Sequence, residues 1–392
     1  MKLKFPKDFL WGTSTAAAQV ETASEHNWKG VQANDGFVFD KTTEHEKRRM
    51  EDVEYITRFG SVYRCGVDWA RLQSAPFADF NMDVVAEYQT FFKALNERGM
   101  KIMFVLHHFT NPLWFENENS WENEDNIPAF VNFAEQCIEH FKEYVYTWNT
   151  FNEPNVYAVN GWFTGNFPPF KKNFFKANRV LNLMGKAHDI VYDILKAKTP
   201  DKGVGISLNS VWFDAQNILG WLPAKFNDYW FNRKTSKHFQ RLDYWGVSYY
   251  AYIPMNPTPI TFIDTPDKVR KMNVPHDKMW LYRPEGLRRI IRRLHKWYGK
   301  DIIITENGVC TDDNAVRIAS IKDYLEICHE LIQEGIPLKG YIHWSTWDNF
   351  EWNLGPTYRF GLVSINLVTM EREMTEAGEF YAKLTEENAV EV

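Results

Sequence analysis

Two glutamates in this 392-residue chain stand where proton and carbon chemistry could be done. One lies in Asn152-Glu153-Pro154, the other in Glu306-Asn307-Gly308, and each closes a β-rich hydrophobic run. A third such run ends in His107-His108-Phe109, and a fourth leads into Trp344, Trp347, Asp348, Glu351 and Trp352. Paired carboxyls flanking a scissile bond are what acetal hydrolysis needs: one gives a proton to the leaving oxygen, and the other stabilises or captures the oxocarbenium centre. Indole rings around them would stack on the apolar faces of a sugar. A single glutamate at a strand end is more often an ion-pair partner; two of them in an aromatic setting favour the catalytic reading. His107 and His108 cannot both hold one metal ion, because successive strand residues face opposite sides. No HExxH or other spaced ligand set occurs, so no metal and no other cofactor is expected. A hydrogen-bonding His at the floor of a site and a buried core His both stay open for this pair.

Such residues need a scaffold that gathers the ends of distant strands. Eight β-rich runs, at 9–15, 62–69, 101–109, 145–153, 203–213, 244–250, 301–308 and 338–348, alternate with helical patterns. Several are nearly continuous hydrophobic runs, as parallel strands buried on both faces require. Pro284 opens one helix, with Leu287, Ile290, Ile291, Leu294 and Trp297 on one face and Gly299 closing it. A second runs over 314–335 with Ile318, Ile321, Leu325, Cys328 and Ile332 at core spacing, and a third begins at Pro128 with Phe130, Phe133, Ala134, Cys137, Ile138 and Phe141 inward. The alternation, without a break in composition, predicts an α/β fold. It would be a single-domain (β/α)8 TIM barrel over residues 1–392, with its active site at the C-terminal ends of the strands. An open doubly wound sheet competes, but no GxGxxG follows the first run, which continues Gly12-Thr-Ser-Thr-Ala. A bare barrel needs about 250 residues, so the remainder builds loops. The Pro-rich stretch 253–284 is expected to be a loop or lid over the barrel mouth.

Composition narrows the partners. The net charge of −6 argues against nucleic acid and against an anionic membrane surface. No apolar segment near the N-terminus suits a signal peptide and none is long enough to span a bilayer, so no membrane anchor is expected. Cys65, Cys137, Cys310 and Cys328 are scattered, which suggests reduced, buried thiols in a cytoplasmic protein. Aromatic residues make up 16% of the chain, including 16 Trp. That surplus invites a ring-stacking ligand, with Trp114, Phe163 and Trp280 as looser candidates for the rim of its site.

Three motifs carry a family resemblance: Thr150-Phe-Asn-Glu-Pro154, Ile304-Thr-Glu-Asn-Gly308 and Trp344-Ser-Thr-Trp-Asp-Asn-Phe-Glu-Trp352. With them the chain resembles the family 1 glycoside hydrolases, the retaining β-glucosidases and β-galactosidases, from Phe5-Pro-Lys-Asp-Phe-Leu-Trp-Gly to Arg359-Phe-Gly-Leu-Val. The resemblance implies Glu153 as general acid/base and Glu306 as nucleophile. It implies Asn152 as a partner of the sugar 2-hydroxyl and the nucleophile, and Gln19 and His108 as sugar binders. Arg64 would lie beneath the nucleophile and Tyr250 would hydrogen-bond to it. Trp344 would floor the first sugar subsite, with Glu351 and Trp352 gripping the hydroxyls farthest from the cleaved bond. On this reading Arg64 and Tyr250 should hold the nucleophile's pKa down, and the charge of Glu306 should raise that of Glu153. A carboxyl separation of about 5–5.5 Å would give retention of configuration. A carboxylate at Glu351 would repel a 6-phosphate, which argues for unphosphorylated sugars.

Some positions depart from the family pattern. Ser248-Tyr249-Tyr250 stands where Asn-Tyr-Tyr is usual, His343 precedes Trp344 in place of an apolar residue, and Gly355-Pro-Thr replaces Gly-Tyr. The expectation is therefore an exo-acting β-glycosidase that takes small-molecule β-glycosides with terminal glucose- or galactose-type sugars. The alternatives are a transglycosidase of the same family with a sugar or glycolipid acceptor, and a non-catalytic carbohydrate-binding protein. The transglycosidase is suggested by Val62-Tyr-Arg-Cys-Gly-Val-Asp-Trp69 and Gly340-Tyr-Ile-His-Trp344. Loss of either glutamate would have signalled the binding protein, and both are present.

Overall fold

The alternation of hydrophobic runs resolves into eight parallel strands in the computed structural model, which describes residues 1–255 and 276–392. They are β1 Leu10–Ser14, β2 Val62–Gly66, β3 Lys101–His107, β4 Val145–Asn152, β5 Gly203–Ala215, β6 Tyr244–Met255, β7 Asp301–Asn307 and β8 Leu338–Trp344. Each pairs with the next and β8 pairs with β1, so the sheet is a closed barrel, as expected. Most of the proposed lid, residues 256–275 with Pro257, Pro259, Pro266 and Pro275, lies outside the described residues.

The inside of the barrel is filled by Leu10, Val62, Met103, Tyr244, Ile303 and Ile342, one from each of six strands. Side chains alternate along a strand, so this face continues upward through Ser14 on β1, Arg64 on β2, Ser248 on β6 and Trp344 on β8. In β7 strict alternation from Ile303 would turn Glu306 away. The register shifts between Ile304 and Asn307 against β8, and between Val247 and Ser248 against β6, so β7 carries one extra residue there. A bulge of this kind re-aims the side chain that follows it. β4 is irregular in the same way between Asn149 and Asn152.

β5 and β6 run on further than their sequence suggests, the second through Pro254 to Met255. β4 leaves the pairing at Asn152 opposite Ser207, and β7 at Glu306 opposite Ser248. Beyond those rungs β5 and β6 pair with each other, Phe213 opposite Ile253 and Ala215 opposite Met255, with one isolated bridge from Tyr252 to Leu281. They rise past the barrel mouth as a two-stranded ribbon.

The helices follow their end signals. Glu285–Tyr298 starts after Pro284 and stops at Gly299, whose φ of 60° gives the left-handed closure that glycine adopts without strain. Asn314–Gln333 is capped by Asp313, which accepts from the amides of Ala315 and Val316 at 2.8 and 3.3 Å. Ile127–Phe141 buries Phe130, Phe133, Cys137 and Phe141. All four cysteines are free and buried, and burial alone pushes the Cys137 thiol well up, as befits a small core hydrophobe. No helix among the described residues is long and apolar enough to cross a membrane.

One buried ion cluster braces the first βα connection. Glu21, 1% exposed, accepts from Arg49 at 3.1 Å, from Arg71 at 2.9 Å and from the Tyr88 hydroxyl at 2.8 Å. Burial works to raise its pKa, but the two guanidiniums win and hold the carboxyl below its ordinary value. A depressed carboxylate stabilises the fold above its unfolded pKa, and that stabilisation is lost as pH falls through the folded value, below the ordinary glutamate range. Glu21→Ala leaves the buried Arg49 with the half-exposed Glu87, at 3.0 Å, as its remaining carboxylate and should cost about 2–3 kcal/mol, read as a lower midpoint in urea unfolding at pH 7. An unchanged midpoint would mean that the cluster contributes nothing.

Candidate active site

The ends of β4 and β7 bring Glu153 and Glu306 together inside one cavity, and their partners differ. Glu306 on β7 accepts from Arg64 Nη1 at 2.6 Å and from the Tyr250 hydroxyl at 3.1 Å. Arg64, fully buried, also donates to Ser14 Oγ at 3.1 Å, Ser207 Oγ at 2.9 Å and Asn152 Oδ1 at 2.5 Å. Glu153 follows β4 in the left-handed region, φ 41°, with its amide donating to Ser207 O at 2.7 Å and Pro154 starting a short helix. This turn is strained for a non-glycine residue, a condition that clusters at functional sites. Its partners are neutral: Asn209 Nδ2 donates to the carboxyl at 2.8 Å, with the Ser248 hydroxyl beside it.

Burial raises the pKa of both carboxyls. For Glu153 it is the main cause and the charge of Glu306 the second; Asn209, Ser248 and Arg64 oppose them, and the result is about 8. Glu306 is also raised by burial, against the pull of Arg64 and Tyr250. The expectation that Arg64 and Tyr250 would hold Glu306 below its ordinary value is thus corrected: desolvation outweighs them. The order of the two groups survives, because only Glu306 has a guanidinium in contact. A pair so arranged keeps one proton, on Glu153, and one charge, on Glu306.

His108 and Asn152 lie beside them. Asn152 Nδ2 donates to His108 Nε2 at 2.8 Å, and burial with Arg64 nearby keeps that imidazole neutral. Trp344, Glu351 and Trp352 line the same cavity, with the His108 ring 5.9 Å from Trp344 and 6.0 Å from Trp352. Gln19 Nε2 donates to Asn349 Oδ1 at 3.0 Å, to Phe350 O at 2.9 Å and to Glu351 Oε2 at 3.3 Å. Glu351 is itself pushed up to about 8 by burial and by the charge of Glu306, so near neutrality it is mostly protonated. Its charge is therefore a weaker guard against a 6-phosphate than the sequence suggested. A different feature serves instead: among the described residues lining the cavity there is no Lys or Arg, and Arg64 is committed to Glu306.

Other sequence candidates fall elsewhere. His107 points away from the cavity, bonds to Asn111 Oδ1 at 2.9 Å and packs on Trp121, so it is a neutral core His with its pKa near 4. Trp114 packs edge-on to Trp69 and donates to Gln73 O, and Phe163 packs against Phe174 and Trp230; neither lines the cavity, whereas Trp280 does. His343 is a buried core residue beside Tyr381. Ser248 offers no amide here, and the amide that reaches Glu153 is that of Asn209, paired with Ser248 on the neighbouring strand. Asn209 and Ser207 escaped sequence reading because they sit inside a hydrophobic strand; the signal was their i, i+2 spacing on β5, which puts both on the face toward the mouth.

Known proteins resemble the whole chain. The family model described as glycosyl hydrolase family 1 matches residues 1–217 and 231–390. Beta-glucosidase A of Acetivibrio thermocellus is 26% identical over 99% of each chain. A 6-phospho-beta-galactosidase of Staphylococcus haemolyticus is also 26% identical, again over 99% of each. The structure of beta-glucosidase from Thermotoga maritima in complex with deoxynojirimycin superposes with a TM-score of 0.90, at 25% identity over 99% of this chain and 100% of that one. The chain belongs to glycosyl hydrolase family 1.

Proposed function

We propose that this chain, as one catalytic unit over residues 1–392, hydrolyses terminal β-linked glucose- or galactose-type sugars by double displacement. Glu306 is the nucleophile and Glu153 the acid/base. The observation that carries the reading is the unequal pairing of two buried carboxyls: a guanidinium and a phenol on Glu306, neutral groups on Glu153. In the first step Glu153 gives its proton to the glycosidic oxygen while a Glu306 oxygen bonds to the anomeric carbon, and the alcohol leaves. The charge of Glu306 is consumed in that bond, so the pKa of Glu153 falls and it can take a proton from water. The water oxygen attacks the anomeric carbon, the ester bond to Glu306 breaks, and the sugar departs with its original configuration. Asn152, His108, Gln19, Glu351 and Trp352 hold the sugar hydroxyls, and Trp344 stacks on the ring.

The absence of any Lys or Arg among the described cavity-lining residues supports unphosphorylated sugars, although relatives acting on both kinds resemble the chain. We also place the protein in the cytoplasm, which four free, buried cysteines support.

A 2-deoxy-2-fluoro β-glycoside with a good leaving group tests the assignment. The fluorine slows the second step and traps the intermediate, so peptide mapping should find the sugar on Glu306, and proton NMR of a normal substrate should find the β-anomer first. A label on any other residue, or an α-anomer formed first, would overturn the assignment.

A further inference from the structure

The sugar-facing polar groups occupy one side of the cavity; the side toward the leaving group has a different chemistry. The acid's partner fixes the direction. Asn209 holds Glu153, and the same face of β5 continues outward through Val211 and Phe213, both lining the cavity. A strand rises about 3.3 Å per residue, so Val211 and Phe213 stand roughly 7 and 13 Å beyond Asn209. The ribbon partner β6 adds Ile253 opposite Phe213, and Phe231 packs on Phe213 with ring centres 6.1 Å apart. Val156, one turn after Glu153, and Met279 complete the wall. Met279 is held in place by Asp277, whose Oδ1 accepts the amides of Met279 and Trp280, both at 2.6 Å, and whose Oδ2 accepts that of Cys310 at 3.0 Å.

Of the amides that line the cavity, Asn34 and Asn353 lie on the segments around Trp352 and away from β5 in sequence, and the two beside the acid and its helix are engaged. Asn209 is bound to Glu153, and Asn160 accepts from Thr164 and Asn166 and donates to Val156 O. A second sugar placed against Val211, Phe213 and Ile253 would lose water from its hydroxyls and find few partners, which is costly. An aromatic or alkyl group of the same size would gain by leaving water.

From this ribbon we infer that the leaving-group subsite is built for an apolar alcohol, aryl or alkyl, and not for another sugar. The inference rests on the proposed roles of Glu153 and Glu306, since these define which side the leaving group takes. It narrows the substrate class to β-glycosides of hydrophobic alcohols.

The test compares octyl β-glucoside with cellobiose, and octyl β-galactoside with lactose. An alkoxide is a poorer leaving group than a sugar oxygen, so intrinsic reactivity works against the octyl compounds. Even so, kcat/KM for the better-accepted octyl glycoside should exceed that of its disaccharide at least tenfold. A ratio of one or less overturns the inference while the catalytic reading stands. β-Glycosyl fluorides, which carry no alcohol, separate the two cases: if they are not hydrolysed either, the catalytic reading fails and this inference falls with it. Val211→Asn offers the wall a polar group and should cut the octyl-to-disaccharide ratio at least fivefold. That ratio does not depend on how much of the variant is folded, and an unchanged ratio in both Val211→Asn and Phe213→Ser would overturn the assignment of the wall.

Discussion

Glu306→Ala is expected to lower kcat by about 10⁴–10⁶-fold on an aryl β-glycoside, because the covalent route needs an oxygen at that position and nothing else in the cavity supplies one. The variant should still fold. Arg64 loses its carboxylate partner but keeps Ser14, Asn152 and Ser207 as acceptors, so its guanidinium stays hydrogen-bonded in place and the cost falls on stability. The vacated space, lined by that guanidinium, is an anion site. Azide should enter it and attack the anomeric carbon of a 2,4-dinitrophenyl β-glycoside, displacing a phenolate that needs no proton. The product would be the α-glycosyl azide, formed by one displacement in place of two. A β-azide, or residual activity within tenfold of the parent, would remove Glu306 from the mechanism. A second readout follows from electrostatics. The Glu306 charge is one of the two causes that lift Glu153 to about 8, so in the azide-rescued variant any limb due to Glu153 should move to lower pH.

How far the amino-acid sequence could carry this conclusion depends on what each feature needs in order to be visible. All eight barrel strands are legible as hydrophobic runs because parallel strands are covered on both faces, and the capped helices are legible through Pro284, Asp313 and Gly299. The motif residues at strand ends mark the site. What local pattern misses is register. The extra residue that turns Glu306 inward leaves no trace in a hydropathy pattern, since Thr305 and Asn307 on either side of it are buried too. The outward run of β6 through Pro254 is hidden for a related reason: proline reads as a break, yet the ribbon continues to Met255. Electrostatics was half legible. Arg64 and Tyr250 identify themselves as partners of Glu306, but the weight of desolvation depends on how deeply the cavity buries it. The two aromatic candidates that failed, Trp114 and Phe163, are absorbed by other rings; residue type cannot tell a stacking platform from core.

Glu153→Ala should give a loss that depends on the leaving group, and this dependence is what separates an acid/base from a residue that merely shapes the site. For an alkyl glycoside the alkoxide cannot leave without a proton, so kcat/KM should fall by about 10²–10⁴-fold. For the 2,4-dinitrophenyl glycoside the first step should survive within about tenfold of the parent. The second step then lacks its base, so the glycosyl-enzyme accumulates, a burst of phenolate appears and KM falls together with kcat. Azide needs no base and should restore turnover, this time as the β-azide, because Glu306 has already inverted the centre once. The pH dependence has a definite sign. The parent requires Glu153 protonated, so kcat/KM on an alkyl glycoside is retained below about pH 8 and lost as pH rises through that value. Removing Glu153 removes its limb. Any that persists near pH 8 belongs to Glu351, whose pKa lies in the same range, and Glu351→Gln in the Glu153→Ala background would abolish it. A uniform loss across all leaving groups, with no burst and an unchanged limb after both substitutions, would mean that the proton comes from elsewhere.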